Sequence, residues 1–223
     1  MKPYTRGAHV AVLATVVASI VLHACSAKAR TGAAVGAAGG AVVGGVIGTV
    51  AGSTAKGAII GAAVGGVAGA IIGAEMDKQA KELEQNIPGA KVERVGEGIQ
   101  VTFASGLLYD FDSEVVKADA RANLSELARS LSKYPGSDLL IVGHTDALGT
   151  AVYNQGLSER RASSAAGYLV SEGVARTRIA TRGMGETEPV ASNQTESGRQ
   201  QNRRVEVAIY ASEAYRQSVA KRS

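Results

Sequence analysis

A glycine at every fourth position is the feature that most constrains this chain. The repeat runs from Gly32 to Gly52, pauses over Ser53–Lys56, and resumes from Gly57 to Gly73. Glycines four residues apart lie on one face of a helix, where the missing side chains let another backbone approach closely. In water such a helix is weak, because each interior glycine costs about 1 kcal/mol relative to alanine. The repeat therefore indicates helices that need a packing partner.

The two glycine-rich stretches, 32–52 and 57–74, contain no charged residue. Each is close to the length of about 20 apolar residues with which a helix crosses a bilayer. We interpret residues 32–74 as a glycine-zipper helical hairpin, with its turn at Ser53–Lys56, that inserts into a membrane or self-associates. A flexible Gly/Ala linker is the alternative. Valine and isoleucine fill the gaps between the glycines, which a linker does not require, although the lack of leucine and phenylalanine keeps the hydrophobicity marginal.

The first residues have the order of a secretory signal peptide. Lys2 and Arg6 form a basic start, and a mostly apolar stretch follows from Ala8 to Leu22. A basic region, an apolar region and a small residue before the cleavage point are typical of such a peptide. We therefore assign residues 1–24 to a signal peptide and exclude them from the fold.

The end of this segment, Leu22-His23-Ala24-Cys25, resembles the lipobox of bacterial lipoproteins. His23 departs from the small residue that is usual there. The resemblance implies that Cys25 is lipidated, that residues 25–31 form the lipidated N-terminus and a linker, and that Ser26 directs sorting to the outer membrane. A buried free cysteine is the alternative for Cys25, which is the single cysteine of the chain.

Composition excludes several functional classes. The formal net charge is +4, which is too small by itself to indicate nucleic-acid binding. With 2 Phe, 7 Tyr and no Trp, the chain is poor in the aromatic rings on which single-stranded nucleic acid stacks. One cysteine rules out an intramolecular disulfide and a metal site built from several cysteines.

Catalytic motifs are also scarce. Ser130-Leu131-Ser132-Lys133 fits the S-x-x-K pattern, but no K-T-G accompanies it and the segment has the leucine spacing of a core helix. His144 has no partner at a metal-ligand spacing, because the other two histidines lie in the signal peptide. We predict no catalytic residues, no metal and no cofactor.

Residues 75–89 differ in character from the glycine repeat. Met76, Ala80, Leu83 and Ile87 keep helical spacing among charged and amide side chains, and Pro88-Gly89 follows. This pattern predicts a short amphipathic helix that ends at the proline. We place a domain boundary there, with a globular domain over residues 90–210 and a tail over residues 211–223.

The globular domain alternates strand and helix patterns. The predicted elements, in order, are strands 92–95 and 99–103 joined at Gly96-Glu97-Gly98, a helix that starts near Asp112-Ser113-Glu114 and ends before Pro135-Gly136, strand 138–143, helix 152–172, strand 179–182, a short helix 195–201 and strand 205–210. Such alternation predicts an α/β fold, with a mixed β-sheet covered by helices mainly on one side.

A polar cluster follows the most apolar of these strands. Gly143-His144-Thr145-Asp146 comes directly after it, at a position where α/β sheets often place ligand contacts. On the next helix, Asn154, Ser158 and Arg161 share one face. Two interpretations stay open. Asp146 and Arg161 form a structural salt bridge, or they clamp a zwitterion, with Arg161 on its carboxylate and Asp146 on its ammonium.

Several motifs in the domain carry a resemblance to a known family. They are Val101-Thr102-Phe103, Tyr109-Asp110-Phe111-Asp112-Ser113, Gly143-His144-Thr145-Asp146, Leu157-Ser158-Glu159-Arg160-Arg161-Ala162, Gly183-Met184-Gly185 and Asn202-Arg203-Arg204-Val205-Glu206. In this order they resemble the OmpA-like C-terminal domain family, which includes peptidoglycan-associated lipoproteins and the stator anchors of flagellar motors. The resemblance implies non-catalytic binding of peptidoglycan through the diaminopimelate of its stem peptide.

The resemblance also implies which residues bind. Asp146 and Arg161 match the ligand aspartate and arginine, and Thr145 is expected in the same site. Asn202, Arg203 and Arg204 match the tail motif of the family and are expected to line the same pocket. The family often has Asn after the aspartate, whereas this chain has Ala147. That departure implies one hydrogen bond fewer to the ligand.

Taken with the lipobox and the glycine zipper, the resemblance implies a tether. The expected location is the outer membrane, with a lipid anchor and the C-terminal domain in the periplasm. The expected partners are peptidoglycan, outer-membrane lipid and a second copy through the glycine zipper, with no nucleic acid. The alternative is a membrane-active or pore-forming assembly that the wall-binding domain only positions.

Overall fold

A five-stranded mixed sheet forms the centre of the computed structural model, which describes residues 53–110 and 112–223. Its strands are β1 (Lys91–Val95), β2 (Gly98–Ala104), β3 (Ser137–Gly143), β4 (Ile179–Gly183) and β5 (Arg204–Ala211). Their order across the sheet is β1-β2-β5-β3-β4, and all neighbours are antiparallel except the parallel pair β3–β4. The predicted signal peptide, Cys25, the linker 25–31 and the repeat 32–52 lie outside the described residues.

Helices occupy most of the described residues outside the sheet. They are α1 (Thr54–Gly61), α2 (Gly66–Asn86), α3 (Ser105–Leu108), α4 (Ala118–Lys133), α5 (Ala151–Ser171), α6 (Glu196–Asn202) and α7 (Glu213–Ala220), with a 3₁₀ turn at Arg176–Arg178. Side-chain oxygens of Ser53, Thr150, Thr195 and Ser212 accept backbone N–H groups at the starts of α1, α5, α6 and α7. Such caps satisfy amides that have no partner within the helix.

The two faces of the sheet have different covers. In β3, Leu139 and Ile141 face the main core, whereas Leu140 and Val142 pack in a second cluster on the opposite face. Helices α2, α4 and α5 contribute to the main core, and α1 alone among the described helices packs in the second cluster. A strand buried on both faces is expected to be apolar throughout, which explains the continuous run in β3. The predicted α/β fold with a mixed sheet, covered mainly on one side, is confirmed.

Most predicted elements of the domain are present, and one boundary was wrong. The β1–β2 hairpin turns at Gly96, whose φ of +53 suits glycine, and α5 ends before Gly173 at φ +94. The helix predicted to start near Asp112 begins only at Ala118. Asp112 has φ +56, and an antiparallel bridge joins Tyr109 to Val116, so the intervening segment is a loop.

The glycine-rich stretch 57–74 does not form the predicted single helix. α1 begins at Thr54, inside the predicted turn, and ends at Gly61, and α2 starts after Gly65 and Gly66, which have φ of +74 and +63. No helix of the described residues is both long and apolar enough to span a bilayer. Added Cβ atoms on Gly61, Gly65 and Gly66 would meet nothing within 4 Å, so these glycines serve no close helix contact there.

Helix α2 crosses the predicted boundary between the glycine repeat and the amphipathic helix. Its residues Ile72 and Met76, one on each side of that boundary, are both buried in the main core. The predicted domain start at Ala90 leaves α1 and α2 outside, whereas the structure packs both against the sheet. The predicted tail contains α7, in which Val219 is buried in the same core.

Candidate functional site

The end of β3 brings the predicted polar cluster against α5. A Cβ on Gly143 would lie 2.2 Å from the carbonyl oxygen of Ser158, and one on Gly183 would lie 2.5 Å from the Ser158 hydroxyl. Only glycine lets the ends of β3 and β4 approach the helix this closely. The loop that follows Gly143 is thereby held beside the first turns of α5.

The predicted face of α5 is buried along its whole length. Asn154, Ser158 and Arg161 are each at most 5% exposed. Asn154 Nδ2 donates to the backbone oxygen of Asp146 at 3.3 Å and to Glu186 Oε2 at 2.6 Å. The Ser158 hydroxyl accepts from the amide of Gly185 at 2.9 Å. This face therefore organises the loops after β3 and β4.

Asp146 forms its ion pair with Arg203 and not with Arg161. Its Oδ2 lies 2.5 Å from Arg203 Nη1, and its Oδ1 accepts from the amide of Leu148 at 3.0 Å. Arg203 also contacts Glu196 at 2.6 Å, which makes it a bridge between two carboxylates. The structural salt bridge considered from the sequence, between Asp146 and Arg161, is wrong in its partner.

Arg161 is held by backbone oxygens. Its Nε donates to Ser113 O at 2.8 Å and its Nη2 to Asp110 O at 3.5 Å, while the guanidinium carbon lies 5.3 Å from the centre of the Tyr109 ring. Among the described residues no carboxylate pairs with it. Burial lowers the pKa of Arg161, with nearby Tyr109 raising it, but a guanidinium stays protonated in proteins. The site thus holds a positive charge without an ion-pair partner in the described chain.

Thr145 and Asn202 serve the loops that surround Asp146. The Thr145 hydroxyl donates to the backbone oxygen of Asp146 at 2.8 Å. The Asn202 side chain is fully buried and makes four hydrogen bonds, accepting from the amides of Val190 and Ala191 and donating to Ala191 O and Asn193 Oδ1. The Asn202 amide therefore holds the segment after β4 in place, and both of its N–H donors are already used within the protein.

Three further residues at the site were not singled out from the sequence. Asn193 accepts from the amide of Ala147 at 3.3 Å, Glu196 contacts Arg203, and Glu186 contacts Asn154. Arg203 holds the pKa of the Glu196 carboxyl below its ordinary value, with Arg199 acting in the same direction. Glu186 and Asn193 lie on a loop and Glu196 at the start of the short helix α6, where polar residues carry no periodic signal, so these contacts could be found only from the folded chain.

His144 lies in a different environment, beside two buried glutamates. The side chain is 1% exposed, and its Nδ1 and Nε2 lie 4.0 Å from Glu188 and 3.8 Å from Glu206. Burial and the nearby Arg204 lower the pKa of His144 to about 3, so the ring is neutral near pH 7. Within residues 53–110 and 112–223, no three potential metal ligands are grouped as a metal site requires.

The arrangement suits binding of a ligand that carries both charges. Asp146 is held against Asn154, and Arg161 lies seven residues further along α5, about 10 Å away along the helix axis at 1.5 Å per residue. The Arg161 guanidinium is turned to the backbone oxygens of Ser113 and Asp110 and does not contact Asp146. A carboxylate acceptor and a guanidinium donor fork therefore lie along one side of the helix.

Family models match two parts of the chain. The OmpA family model covers residues 108–203, which include Asp146, Arg161 and Arg203. A model of the YMGG-like Gly-zipper covers residues 5–77, which include the glycine repeat.

Curated relatives match the C-terminal part. Outer membrane porin F of Pseudomonas fluorescens is 46% identical over 103 residues, which are 46% of this chain and 32% of that protein. The probable lipoprotein YiaD of Escherichia coli is 35% identical over 136 residues, which are 60% of this chain and 62% of that protein. The chain thus spans less than two thirds of the length of these relatives.

A solved structure matches over nearly its whole length. It is the cell wall anchor of the T6SS from Pseudomonas aeruginosa, at 33% identity and a TM-score of 0.54, covering 60% of this chain and 97% of that one. These similarities agree with the order of strands and helices and with the motifs around Asp146 and Arg161, and all of them indicate one family. The chain belongs to the OmpA family, with a glycine-zipper segment before its OmpA domain.

Proposed function

We propose that this protein is a lipid-anchored outer-membrane protein that binds peptidoglycan without covalent chemistry and so tethers the membrane to the cell wall. The observation that carries the proposal is Arg161, a buried guanidinium without a carboxylate partner among the described residues. A buried charge is unfavourable unless it is paired and hydrogen-bonded, and the backbone oxygens of Ser113 and Asp110 accept only from Nε and Nη2, which leaves Nη1 without a partner among the described residues. A carboxylate of the wall would supply that partner. The solved relative is itself a cell wall anchor, which supports the same role here.

The ligand group proposed for this site is the diaminopimelate of the stem peptide. It carries an ammonium and a carboxylate on one carbon. Arg161 would bind the carboxylate with its donor fork, and Asp146 would accept from the ammonium. Arg203 and the amide of Leu148 already orient the Asp146 carboxylate, so little side-chain freedom is lost on binding. These roles require binding and no proton or group transfer, so the protein acts without catalysis.

The membrane end of the proposed tether is Cys25. One acyl chain binds a bilayer only marginally, whereas several chains or added apolar segments bind durably. Residues 32–52 supply such an apolar segment, which contacts outer-membrane lipid or a second copy of the chain in this proposal. Anchoring raises the local concentration of the C-terminal domain near the wall, so even modest affinity for one stem peptide suffices.

Substitution of the two charged residues tests the wall-binding role. We expect Asp146→Ala, Arg161→Ala and Arg161→Lys each to weaken binding about tenfold or more, because a hydrogen bond to a charged group contributes about 1.5–3 kcal/mol. Lysine fails because it lacks the planar fork. Arg160→Ala is the matched control, since Arg160 is the exposed neighbour that faces Glu114. Sedimentation with purified peptidoglycan measures binding.

Thermal unfolding of the same preparations separates binding from folding. We expect all four variants to remain folded and unfold cooperatively, with lower unfolding temperatures for the Asp146 and Arg161 variants, which lose buried contacts, than for Arg160→Ala. Undiminished sedimentation of folded Asp146→Ala and Arg161→Ala proteins would refute the proposed site. An equal loss of sedimentation in Arg160→Ala would show that the effect is general charge and not this site.

A further inference from the structure

Two buried glutamates hold the first turn of α1. The Ser53 hydroxyl donates to Glu206 Oε2 at 2.9 Å. The amide and hydroxyl of Thr54 donate to the two oxygens of Glu188 at 3.1 and 2.6 Å. Glu188 is 8% exposed and Glu206 is 2% exposed. The contacts join residues more than 130 positions apart in the chain.

The hydrogen bonds from α1 are needed to satisfy these carboxylates. Arg204 is the single cation of the cluster among the described residues, and its Nε pairs with Glu206 Oε1 at 2.7 Å. Its Nη2 reaches only the backbone oxygen of Glu188, at 3.2 Å. Within the described chain, Thr54 therefore supplies every hydrogen bond that the Glu188 carboxylate accepts. If α1 departs, water has to replace those donors.

The apolar contacts of α1 are small by comparison. The buried apolar side chains of α1 and of the residue that follows it are Ala55, Ala58, Ile59 and Ala62. Three of the four are alanines, which bury little area, and apolar stabilisation is proportional to area. The hydrogen bonds at Ser53 and Thr54 therefore have a large share in deciding whether α1 stays docked.

Glu188 connects this helix to the ligand site. It lies in the segment between β4 and α6, a few residues before Val190 and Ala191, whose amides donate to Asn202 at 2.8 and 2.9 Å. Asn193 of the same segment accepts from the amide of Ala147, next to Asp146. A continuous series of contacts thus runs from Thr54 to the residues that surround Asp146.

We propose that residues 53–62, which we name the clasp, position the segment 184–195 and thereby set the affinity of the site for its ligand. The inference rests on the proposed function. Docking of the clasp fixes Glu188, which fixes the segment that supports Asp146. By linkage, ligand binding holds the clasp docked by the same factor. Because the clasp directly follows the glycine repeat 32–52, it connects the membrane side of the chain to the wall side.

Thr54→Pro opens the clasp with minimal disturbance of the helix. Thr54 is the first residue of α1, where proline is well tolerated because its missing N–H has no partner within the helix. Ser53 has φ −141 and ψ 124, a conformation that suits a residue before proline. The substitution removes both hydrogen bonds to Glu188. Thr54→Val removes only the hydrogen bond from the hydroxyl to Glu188. Lys56→Ala, on the same helix, is the control, because no hydrogen bond joins the Lys56 side chain to Glu188 or Glu206 among the described residues.

Amide hydrogen exchange and ligand affinity, both measured on the full chain, test the proposal. The probe is the soluble tripeptide L-Ala-γ-D-Glu-diaminopimelate. In Thr54→Pro we expect faster exchange in residues 53–62 and 184–195 and affinity lower by about five- to tenfold. Thr54→Val should show a smaller change in the same direction, and Lys56→Ala none. In the unmodified protein the tripeptide should slow exchange in residues 53–62.

The outcomes separate this inference from the proposed function. Faster exchange in residues 53–62 of Thr54→Pro, with unchanged affinity and unchanged exchange in residues 184–195, would overturn the positioning role. If the unmodified protein does not bind the tripeptide, the proposed function fails, and exchange in residues 184–195 still decides whether the clasp positions that segment. If Thr54→Pro unfolds globally, the isosteric Thr54→Val decides by the same two readouts.

Discussion

Gly143, beside α5, and Gly167, within α5, differ in whether the structure requires glycine at their position. A Cβ on Gly143 would overlap the Ser158 carbonyl oxygen at 2.2 Å, and a backbone atom has no room to yield. Gly167, in the interior of α5, has nothing within 4 Å of the same position. The first glycine is required by a close approach, whereas the second only loosens the helix.

Alanine substitution of these two glycines should therefore act in opposite directions. We expect Gly143→Ala to lower the free energy of unfolding by about 1–3 kcal/mol, as overpacking does in a close-packed interior. Gly167→Ala should raise it by about 0.5–1 kcal/mol, because it restricts the unfolded chain without strain. Denaturant unfolding of both variants measures the change. Equal effects of the two substitutions would contradict the close contact between β3 and α5.

At the scale of the element, α2 combines two sequence patterns in one helix. Its first half belongs to the uncharged glycine repeat, and its second half carries the charges of the predicted amphipathic helix. Ile72 and Met76 are four residues apart and are both buried, so one face continues across the change in composition. Residues of the predicted glycine-zipper stretch 57–74 are buried against the sheet here.

Adjacent isoleucines in α2 test this packing. Ile72 is fully buried, whereas Ile71 is 46% exposed. We expect Ile72→Ala to lower the free energy of unfolding by about 2–5 kcal/mol, as truncation of a core isoleucine does. Ile71→Ala should change it by less than about 0.5 kcal/mol. Thermal and denaturant unfolding measure both, and a stable Ile72→Ala protein would show that α2 is not part of the core.

At the scale of the whole molecule, the proposed tether depends on both ends of the chain. The wall-binding end lies in the described domain, and the clasp joins it to the glycine repeat. The lipid end at Cys25 lies outside the described residues. A tether holds only while each end is bound. Loss of the lipid end should therefore release the protein from the membrane, and loss of the wall-binding end should release it from the wall.

Cys25→Ser is expected to separate the two ends. Without a thiol the residue cannot be lipidated, so incorporation of a labelled fatty acid should be lost and the protein should leave the outer-membrane fraction. Binding to purified peptidoglycan should persist, because Asp146 and Arg161 are unchanged. Metabolic labelling, membrane fractionation and sedimentation measure the three properties. Undiminished label in Cys25→Ser would refute the anchor.

Local patterns in the sequence determine most elements of the domain. The helical spacing of Leu124, Leu127 and Leu131, the apolar run of β3 and the alternation in β5 each depend on neighbours in sequence, so they are readable directly. Asp146 and Arg161 are also identifiable from the sequence, because a loop after a buried strand and a polar helix face are local features. Whether they bind a ligand stays a prediction.

Tertiary structure alone decides which charges pair and what covers the glycine-rich segment. Arg161 and Arg203 both suit Asp146 by chemistry, and the fold selects Arg203 because α6 and β5 bring it to the loop. Glu188 and Thr54 meet although 134 positions separate them. An uncharged stretch can leave water for a bilayer or for a protein interior, since both remove apolar surface from water. Only the packing of residues 53–74 on the sheet distinguishes the two.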